Sequence, residues 1–474
     1  MATMSSAGIG SGLDVESIVT KLMAIERQPV ANLQTRASTI QTEISAFGSL
    51  QSSVAGFRDA AQALTNSSTW GATTATSSDN GSVGVSTGSG AHAGSYSVSV
   101  QNLASAQSVA SQSYASSSAV IGEGGLTIDV GAWDVGQPGF AARATINAMS
   151  IPISATDTLR DVRDKINAAN AGVTASIVTD SSGARLVLTS SATGVNNGFS
   201  VTGTGGAAAL TYDASDGSSP MTRTQTASDA QATVNGLAIT SASNTLTDVV
   251  QGLTLNLSKV TTGSVQLNVV QDNDSIKKSI QTFVKAYNSL ASQLATLTKY
   301  DAATKTAGTL QGDSTAVGLQ RQMRSLLTNA TSASSAFSSL SDVGIEIQST
   351  GQLTVNDTKL SSALGNLPEL KKLFANNPAS TIDTSQIGIA QRLSDFGDQE
   401  IGTDGALTTR TSGLNTSLAN NQKNQDAINQ RLTNTEARIR AQYTALDTQM
   451  ASMSALSTYI TQQVANWSRT SSSN

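Results

Sequence analysis

The chain lacks the residue types on which most enzymes and metal sites depend. Its 474 residues contain no cysteine and one histidine, His92. Without cysteine there is no disulfide, no thiolate nucleophile and no thiolate metal ligand. A lone histidine in a glycine-rich stretch, with no carboxylates clustered near it in sequence, is typical of a loop residue rather than a catalytic base. We therefore expect no enzymatic activity, no cofactor and no metal ion.

Charged and aromatic side chains are also scarce. Only 13% of the residues are charged and 4% are aromatic, and the formal net charge is -5. This balance offers no basic surface to a phosphate backbone, so we expect no nucleic-acid partner. Serine, threonine, asparagine and glutamine must keep the surface soluble instead, and that composition is common in secreted structural proteins.

Long apolar runs are absent as well. No run approaches the length of a membrane span, so we expect no membrane insertion. The first residues lack the basic and apolar segments of a cleaved signal peptide. If the protein leaves the cell, we expect it to use another export route.

What the sequence does contain is a long helical row near its C-terminus. Polar residues and alanine fill most other positions, and a stripe this narrow predicts a coiled-coil helix rather than a core helix. No proline or glycine follows Gly413 in this stretch, so at 1.5 Å per residue the helix can run roughly 80 Å. The row, read in steps of seven, is Leu418, Gln425, Leu432, Ile439, Leu446, Met453, Ile460 and Trp467.

A matching stripe lies near the N-terminus. Asp14 is a good cap for a first helix, and Pro29 should end or kink that helix. A second helix then carries an apolar stripe that includes Leu33, Ile40 and Phe47. Two long terminal helices can pair antiparallel only if the chain between them starts and finishes at the same place. The middle of the chain is therefore predicted to be an insertion, which makes the molecule a stalk with a head.

The predicted insertion changes from strands to helices along its length. Alternating polar and apolar residues between turn signals predict two β-rich modules, one nested in the other, from about residue 66 to 272. Hairpins are predicted at Asp180–Gly183 and at Asn235–Gly236. Helical periodicity resumes near Ser275 and predicts a bundle domain that also uses part of the second N-terminal helix. The fold class is therefore multidomain α+β.

Other candidate sites have simple structural explanations. Asp272 and Asp274 have the spacing of calcium-loop ligands, but no glycine turn or closing glutamate follows, so helix capping is favoured. The stretch 203–206 is rich in glycine, yet it lacks the lysine and the following helix of a phosphate-binding loop.

Both ends of the chain resemble one known family. The N-terminal motif contains Gly10, Gly12, Leu13 and Asp14, followed by Ile18, Val19 and Leu22 and then Pro29. Together with Tyr443–Asp447 and Tyr459–Gln463 near the C-terminus, it resembles the bacterial flagellar filament cap proteins, or hook-associated protein 2 family. Residues 159–175 are similar to a flagellin-type insertion module.

The resemblance implies a fold, a location and a set of partners. Proteins of this family combine paired terminal helices, a helical bundle and two β-rich head domains. The resemblance implies a homo-oligomeric ring of roughly four to six subunits at the distal tip of the flagellum. Its expected partners are flagellin, the hook–filament junction protein and an export chaperone on the C-terminal helix. Export would follow the flagellar type III route, to an extracellular site.

The resemblance also implies where each domain lies. The expected domains are terminal coiled-coil segments at 1–43 and 412–474, a helical-bundle domain with a β-hairpin at 44–75 and 273–411, an inner β head at 76–104 and 226–272, and an outer, variable β-rich head at 105–225. We expect the terminal helices, through the rows described above, to bind the filament or a partner helix.

Two alternatives remain at this stage. Another axial flagellar protein, either a flagellin or a junction protein, would share the helical termini, although the stretch 8–14 followed by Pro29 argues against it. A tip adhesin is the second alternative, because a head rich in serine, threonine and asparagine suits host-glycan binding.

Overall fold

Two compact units make up the molecule. The computed structural model describes residues 14–133, 139–144, 147–378 and 383–471. One unit comprises residues up to Asn66 together with those from Lys277 onward, and the other comprises Ser67–Ile276. Helices dominate the first unit and strands the second, so the predicted multidomain α+β class is confirmed.

The helices range from one turn to a rod that makes up the C-terminal part of the chain. They are α1 Val15–Glu26, α2 Gln28–Ala63, α3 Ser67–Trp70, α4 Leu159–Ala169, α5 Asn273–Thr298, α6 Ser314–Thr328, α7 Asp357–Ala363, α8 Leu367–Ala375, α9 Ile389–Ile401 and α10 Ala406–Ser471.

The strands are short and pair antiparallel throughout the described ranges. They are β1 Thr73–Ser77, β2 Val83–Thr87, β3 Gly94–Asn102, β4 Ser108–Ala110, β5 Gly124–Trp133, β6 Phe140–Ala142, β7 Met149–Ile153, β8 Val173–Asp180, β9 Gly183–Ser190, β10 Gly198–Gly205, β11 Thr222–Gln225, β12 Ala230–Val234, β13 Leu237–Ser241, β14 Thr245–Thr247, β15 Leu253–Leu257, β16 Val265–Gln271, β17 Tyr300–Asp301, β18 Thr306–Ala307, β19 Ile345–Ile347 and β20 Leu353–Val355.

The strand-rich unit has two separate hydrophobic cores. A five-stranded sheet, β1-β16-β3-β12-β13, and a three-stranded sheet, β14-β15-β2, supply the first, with Val98, Leu255 and Leu267 among its residues. Two four-stranded sheets and α4 supply the second, which contains Leu126 and Ile166. Each core takes alternate residues of its strands, as expected for antiparallel sheets with one buried face.

Local sequence signals explain the turns and caps of this unit. The β8–β9 hairpin turns between Asp180 and Gly183, and the β12–β13 hairpin turns through Asn235 and Gly236, which have φ values of 50° and 82°. A turn with two positive φ values favours asparagine followed by glycine. Thr158 caps α4 in a capping box. Both predicted hairpins are therefore confirmed.

Aromatic side chains build the centre of the helical unit. The ring of Phe57 on α2 lies 5.7 Å from Phe283 and 6.0 Å from Tyr287, both on α5. The Tyr287 hydroxyl is buried and donates a 2.9 Å hydrogen bond to the Gly351 carbonyl oxygen. The buried hydroxyl is thereby satisfied at no cost to the apolar packing.

Helices α9 and α10 both pack on α2, and three contacts give their direction. Asp398 on α9 pairs with Arg58 at 3.1 Å, the Arg410 guanidinium lies 6.0 Å from the centre of the Phe47 ring, and Leu432 packs in one cluster with Val30. Along α2 these partners run backwards, from 58 to 47 to 30. The predicted antiparallel pairing of the terminal helices is therefore confirmed.

Two of the breaks between helices occur at residues suited to a break. Helix α1 ends at Glu26, and Pro29 occupies the first turn of α2, where its missing N–H costs nothing. This confirms the predicted stop. Between α9 and α10, a Cβ on Gly405 would lie 2.3 Å from the Glu400 carbonyl oxygen, so only glycine fits that turn.

Candidate partner-binding surface on the terminal helices

The first part of the C-terminal row is buried against the N-terminal helices. Leu414 and Leu432 are buried, and Leu418 is half-buried. The polar step of the row, Gln425, is also buried and donates a 2.6 Å hydrogen bond to the side-chain oxygen of buried Asn421. Because a buried amide is costly unless it is hydrogen-bonded, this pairing explains how a polar residue is tolerated in the row.

The matching row on α2 faces the interior of the same pairing. Phe47 is completely buried, Ile40 is buried and Leu33 is half-buried. Of these three residues, Leu33 is the least buried and Phe47 the most. The α2 residues expected at a partner-helix interface therefore lie on the α2 face that packs inside this chain.

Helix α1 covers the next part of α10. Val15, Val19 and Met23 form a buried cluster with Val30 and Leu432, and the cluster is completed by Ile428, Ile439 and Tyr443. Each fully buried side chain of this size favours docking by about 1.5 to 3 kcal/mol. In the described part of the chain, the α10 residues of this cluster run from 428 to 443, and we call this the covered segment.

An ion-pair network surrounds the docked α1. Two Arg440 nitrogens donate to the two Glu16 carboxylate oxygens at 2.5 and 2.8 Å, and Arg440 Nε donates to Glu436 at 3.0 Å. Arg27 lies 3.7 Å from Glu436. The hydrogen bonds from Arg440 lower the pKa of Glu16, and those to Glu16 and then Glu436 raise the pKa of Arg440.

Beyond Tyr443 the same row is exposed. Leu446, Met453, Ile460 and Trp467 are 42%, 69%, 53% and 80% exposed. Their seven-residue spacing continues the row that carries Leu432 and Ile439. We call Leu446–Val464 the exposed segment; its apolar residues are Leu446, Met450, Met453, Leu456, Tyr459, Ile460 and Val464. Large exposed apolar surfaces are common at protein interaction sites, so the exposed segment is a candidate for one.

The N-terminal motif lies only partly within the described residues. Gly10, Gly12 and Leu13 lie outside them. Asp14 accepts a 2.9 Å hydrogen bond from the Ser17 backbone N–H and caps α1 as predicted.

The rest of α1 has two apolar faces. Val19 belongs to the buried cluster, and Ile18 is half-buried. Leu22 and Ile25 are exposed. Helix α1 therefore presents a second apolar face away from the cluster.

A buried carboxyl group lies where α9 gives way to α10. Glu400 is only 7% exposed and borders a cavity of about 610 Å³ that is also lined by Asp404 and Arg410. Arg410 is engaged by Asp313, at 2.9 Å. Burial raises the pKa of Glu400.

The remaining candidate residues from the sequence lie in a loop and at a helix cap. His92 is exposed in a loop. Asp272 caps α5 by accepting the Ser275 N–H at 2.9 Å. Among the described residues, no three histidine or acidic side chains cluster as metal ligands would, and no helix combines the length and apolarity needed to cross a bilayer.

The ion-pair network around α1 was not predicted from the sequence. The spacing of Glu436 and Arg440 is a local signal for a helical ion pair. Glu16 is separated from Arg440 by 424 positions, so no local pattern joins them. Only the folded chain shows that the two ends share these charges.

Comparison with known protein families covers most of the chain. A model described as flagellar hook-associated protein 2 N-terminus matches residues 11–107, and one described as flagellar hook-associated protein 2 C-terminus matches 227–455. A flagellin hook IN motif matches 142–192, which contains the predicted insertion module.

Individual proteins are similar over their full lengths. Flagellar hook-associated protein 2 of Escherichia coli K12 is 34% identical over 98% of this chain and 99% of its own length. The Salmonella typhimurium protein of that name is 31% identical over 98% of each. A crystal structure of the D1-D2-D3 domains of the Escherichia coli flagellar cap protein matches with a TM-score of 0.62 and 33% identity, over 78% of this chain and 99% of that one. The chain therefore belongs to the flagellar hook-associated protein 2 (FliD) family of flagellar filament cap proteins.

Proposed function

We propose that copies of this chain form a ring of roughly four to six subunits at the distal tip of the filament, outside the cell. The ring retains exported flagellin and guides its folding and insertion into the growing filament. The proposed role is structural rather than enzymatic. The ring confines emerging flagellin subunits, which fold in contact with its surfaces.

One observation carries the proposed attachment mechanism. The heptad row on α10 continues from residues buried inside the chain to exposed ones such as Met453 and Ile460. A row that continues past its internal partners can complete the same type of helix packing with another protein. In the assembled cap that protein is flagellin or the hook–filament junction protein, within the central helical layer of the filament.

The same segment suits an export chaperone before assembly. Exposed leucine, methionine and tyrosine side chains on one helix would favour association in the cytoplasm. A chaperone on the C-terminal helix would cover them until the chain leaves by the flagellar type III route. The absence of cysteine suits passage from a reducing to an oxidising compartment.

The proposed division of labour follows four domains. Residues 1–43 and 412–474 attach the cap, while 44–75 and 273–411 form the bundle, 76–104 and 226–272 the inner head and 105–225 the outer head. Ring contacts then lie in the bundle and heads. The separate inner and outer cores of the strand-rich unit support the division of the head.

A motility experiment tests the attachment mechanism. A strain without its own cap protein is complemented with the full chain or with Leu446→Lys/Met453→Lys. Because charges on the exposed segment must be desolvated in any helix packing, we expect flagellin to be secreted as monomers and motility to be lost.

A matched control separates this effect from added charge. Thr448→Lys/Ala455→Lys adds the same charges to the opposite face of α10, where both residues are exposed. This variant should support filament growth. Equal growth with both variants, at equal secreted levels and helicity, would show that the exposed segment does not attach the cap.

A further inference from the structure

The covered and exposed segments of α10 offer α1 similar apolar surfaces. Val15, Val19 and Met23 of α1 pack at the level of Leu432 and Ile439. Large apolar side chains recur at the same spacing further along, at Met453 and Ile460. Val30 of α2 adds to the covered cluster, but hydrophobic contacts are not directional and fix the position of α1 along α10 less sharply than charge pairs do.

Charge is what distinguishes the two segments. The covered segment carries Arg431, Glu436, Arg438 and Arg440, whereas the exposed segment contains one charged residue, Asp447. Helix α1 brings Glu16 to Arg440 and Arg27 to Glu436. A helix displaced towards the C-terminus would lose both pairings, and one heptad along Glu16 would meet the like charge of Asp447.

Arg440 is the centre of this arrangement. It engages both oxygens of Glu16 and also Glu436, one helical turn away. Paired N–H groups on a planar guanidinium fix the orientation of a carboxylate as well as its distance. Glu436 in turn reaches Arg27, so one arginine orders charges at both ends of α1.

We propose that Arg440 is a positioning residue that holds α1 on the covered segment of α10 and thereby keeps α1 off the exposed segment. The identity of the protein that then uses the exposed segment rests on the proposed function, but the positioning itself does not. Exposed ion pairs are weak in absolute terms. Because the two apolar surfaces are similar, a small difference in packing free energy decides where α1 lies. A tenfold preference for the covered segment is sufficient.

Distance measurements on the full chain test the proposal. The natural sequence has no cysteine, so Lys21→Cys on α1 and Ala465→Cys on α10 accept spin labels at known positions only. Both side chains are exposed. Pulsed electron paramagnetic resonance should give a single narrow distance distribution for this labelled protein.

Charge reversal should redistribute α1 along α10. In labelled Arg440→Glu we expect a broader distribution, because Glu16 then faces a like charge and α1 loses the pairing that fixes its position. The combination Glu16→Arg/Arg440→Glu should restore the single distribution. Arg438→Glu, a reversal two positions away, should leave the distribution unchanged.

Salt provides a measurement that needs no further substitution. At 1 M NaCl, charges are screened within about 3 Å. The distance distribution of the labelled natural sequence should then broaden, as it does in Arg440→Glu. An unchanged distribution in Arg440→Glu and in high salt, or a charge swap that fails to restore it at unchanged helicity, would overturn the proposal.

The result is separable from the proposed function. If Leu446→Lys/Met453→Lys supports filament growth while Arg440→Glu moves α1, the positioning holds and the attachment mechanism fails. If Arg440→Glu leaves α1 in place while the Leu446 and Met453 substitutions stop growth, the attachment mechanism holds and the positioning fails.

Discussion

The two segments of α10 share one helical period and differ in what surrounds them. Leu432 lies in a cluster with α1 and α2, whereas Met453, three heptads along the same row, is 69% exposed. Within a single helix, the same residue pattern is therefore buried inside the molecule in one place and exposed in another. The periodicity shows that the row is apolar. Whether the row is buried or exposed depends on which other segments of the same chain pack against it.

The largest contrast in stability is expected between Phe47 and Tyr459. Phe47→Ala removes a completely buried ring and should lower the free energy of unfolding by about 3 to 5 kcal/mol. Tyr459→Ala, in the exposed segment, should change it by less than about 0.5 kcal/mol. Urea unfolding of the full chain, followed by circular dichroism, measures both; equal losses would mean that the exposed segment is packed in solution.

A smaller contrast is expected within the row itself. Leu432→Ala opens a cavity in the α1 cluster and should weaken that cluster by about 2 kcal/mol, towards the lower end for buried leucines because the site is near the surface. Leu446→Ala should have little effect. Hydrogen exchange of the α1 backbone amides reports the difference, since these amides exchange faster when the cluster loosens. Matching exchange in the two variants would contradict the division of the row.

Glu400, a buried carboxyl group just before α10 begins, should make the stability of that region depend on pH. Because burial raises the pKa of Glu400, the carboxyl contributes stability below its ordinary pKa of 4.5, and this contribution is lost as the pH rises through the folded-state value. Glu400→Gln should therefore stabilise the chain by about 1 kcal/mol at pH 7 and have no effect at pH 4. Thermal unfolding at both pH values checks this, and a destabilised variant at pH 7 would show that the carboxylate is satisfied.

The smallest expected effect is the acid response of α1. Hydrogen bonds from Arg440 lower the pKa of Glu16, so its carboxylate contributes to docking above the ordinary value of 4.5 and ceases to do so as the pH falls through the lowered value. Hydrogen exchange protection of α1 should decrease below pH 4.5. Glu16→Gln should remove this pH dependence, and a persistent decrease in that variant would assign it to another group.

Much of the fold follows from local signals. The heptad row from Leu418 to Trp467 predicted the long helix, and the residues at Asp180–Gly183 and Asn235–Gly236 predicted two hairpins because their turns require those residue types. Pro29 predicted the break between α1 and α2 for a similar reason. Each of these features depends on residues that are close together in the sequence.

The features that the sequence did not reveal depend on distant residues. Nothing in the row of α10 indicates that burial ends near Tyr443, because that limit is set by where α1 docks. The burial of Gln425 depends on its pairing with Asn421, and the burial of Glu400 on a turn closed by Gly405. The link between Glu16 and Arg440 joins opposite ends of the chain.

The most direct test of the attachment mechanism is chemical access to Met453 before and after assembly. Met453→Cys provides a single thiol in a chain without native cysteine, and Ser181→Cys in the β8–β9 turn provides a matched reference. In the free protein, both thiols should react rapidly with a maleimide. On isolated capped filaments, the account predicts that the thiol at position 453 becomes protected while the one at 181 stays reactive, whereas equal reactivity of the two at the filament tip would contradict it.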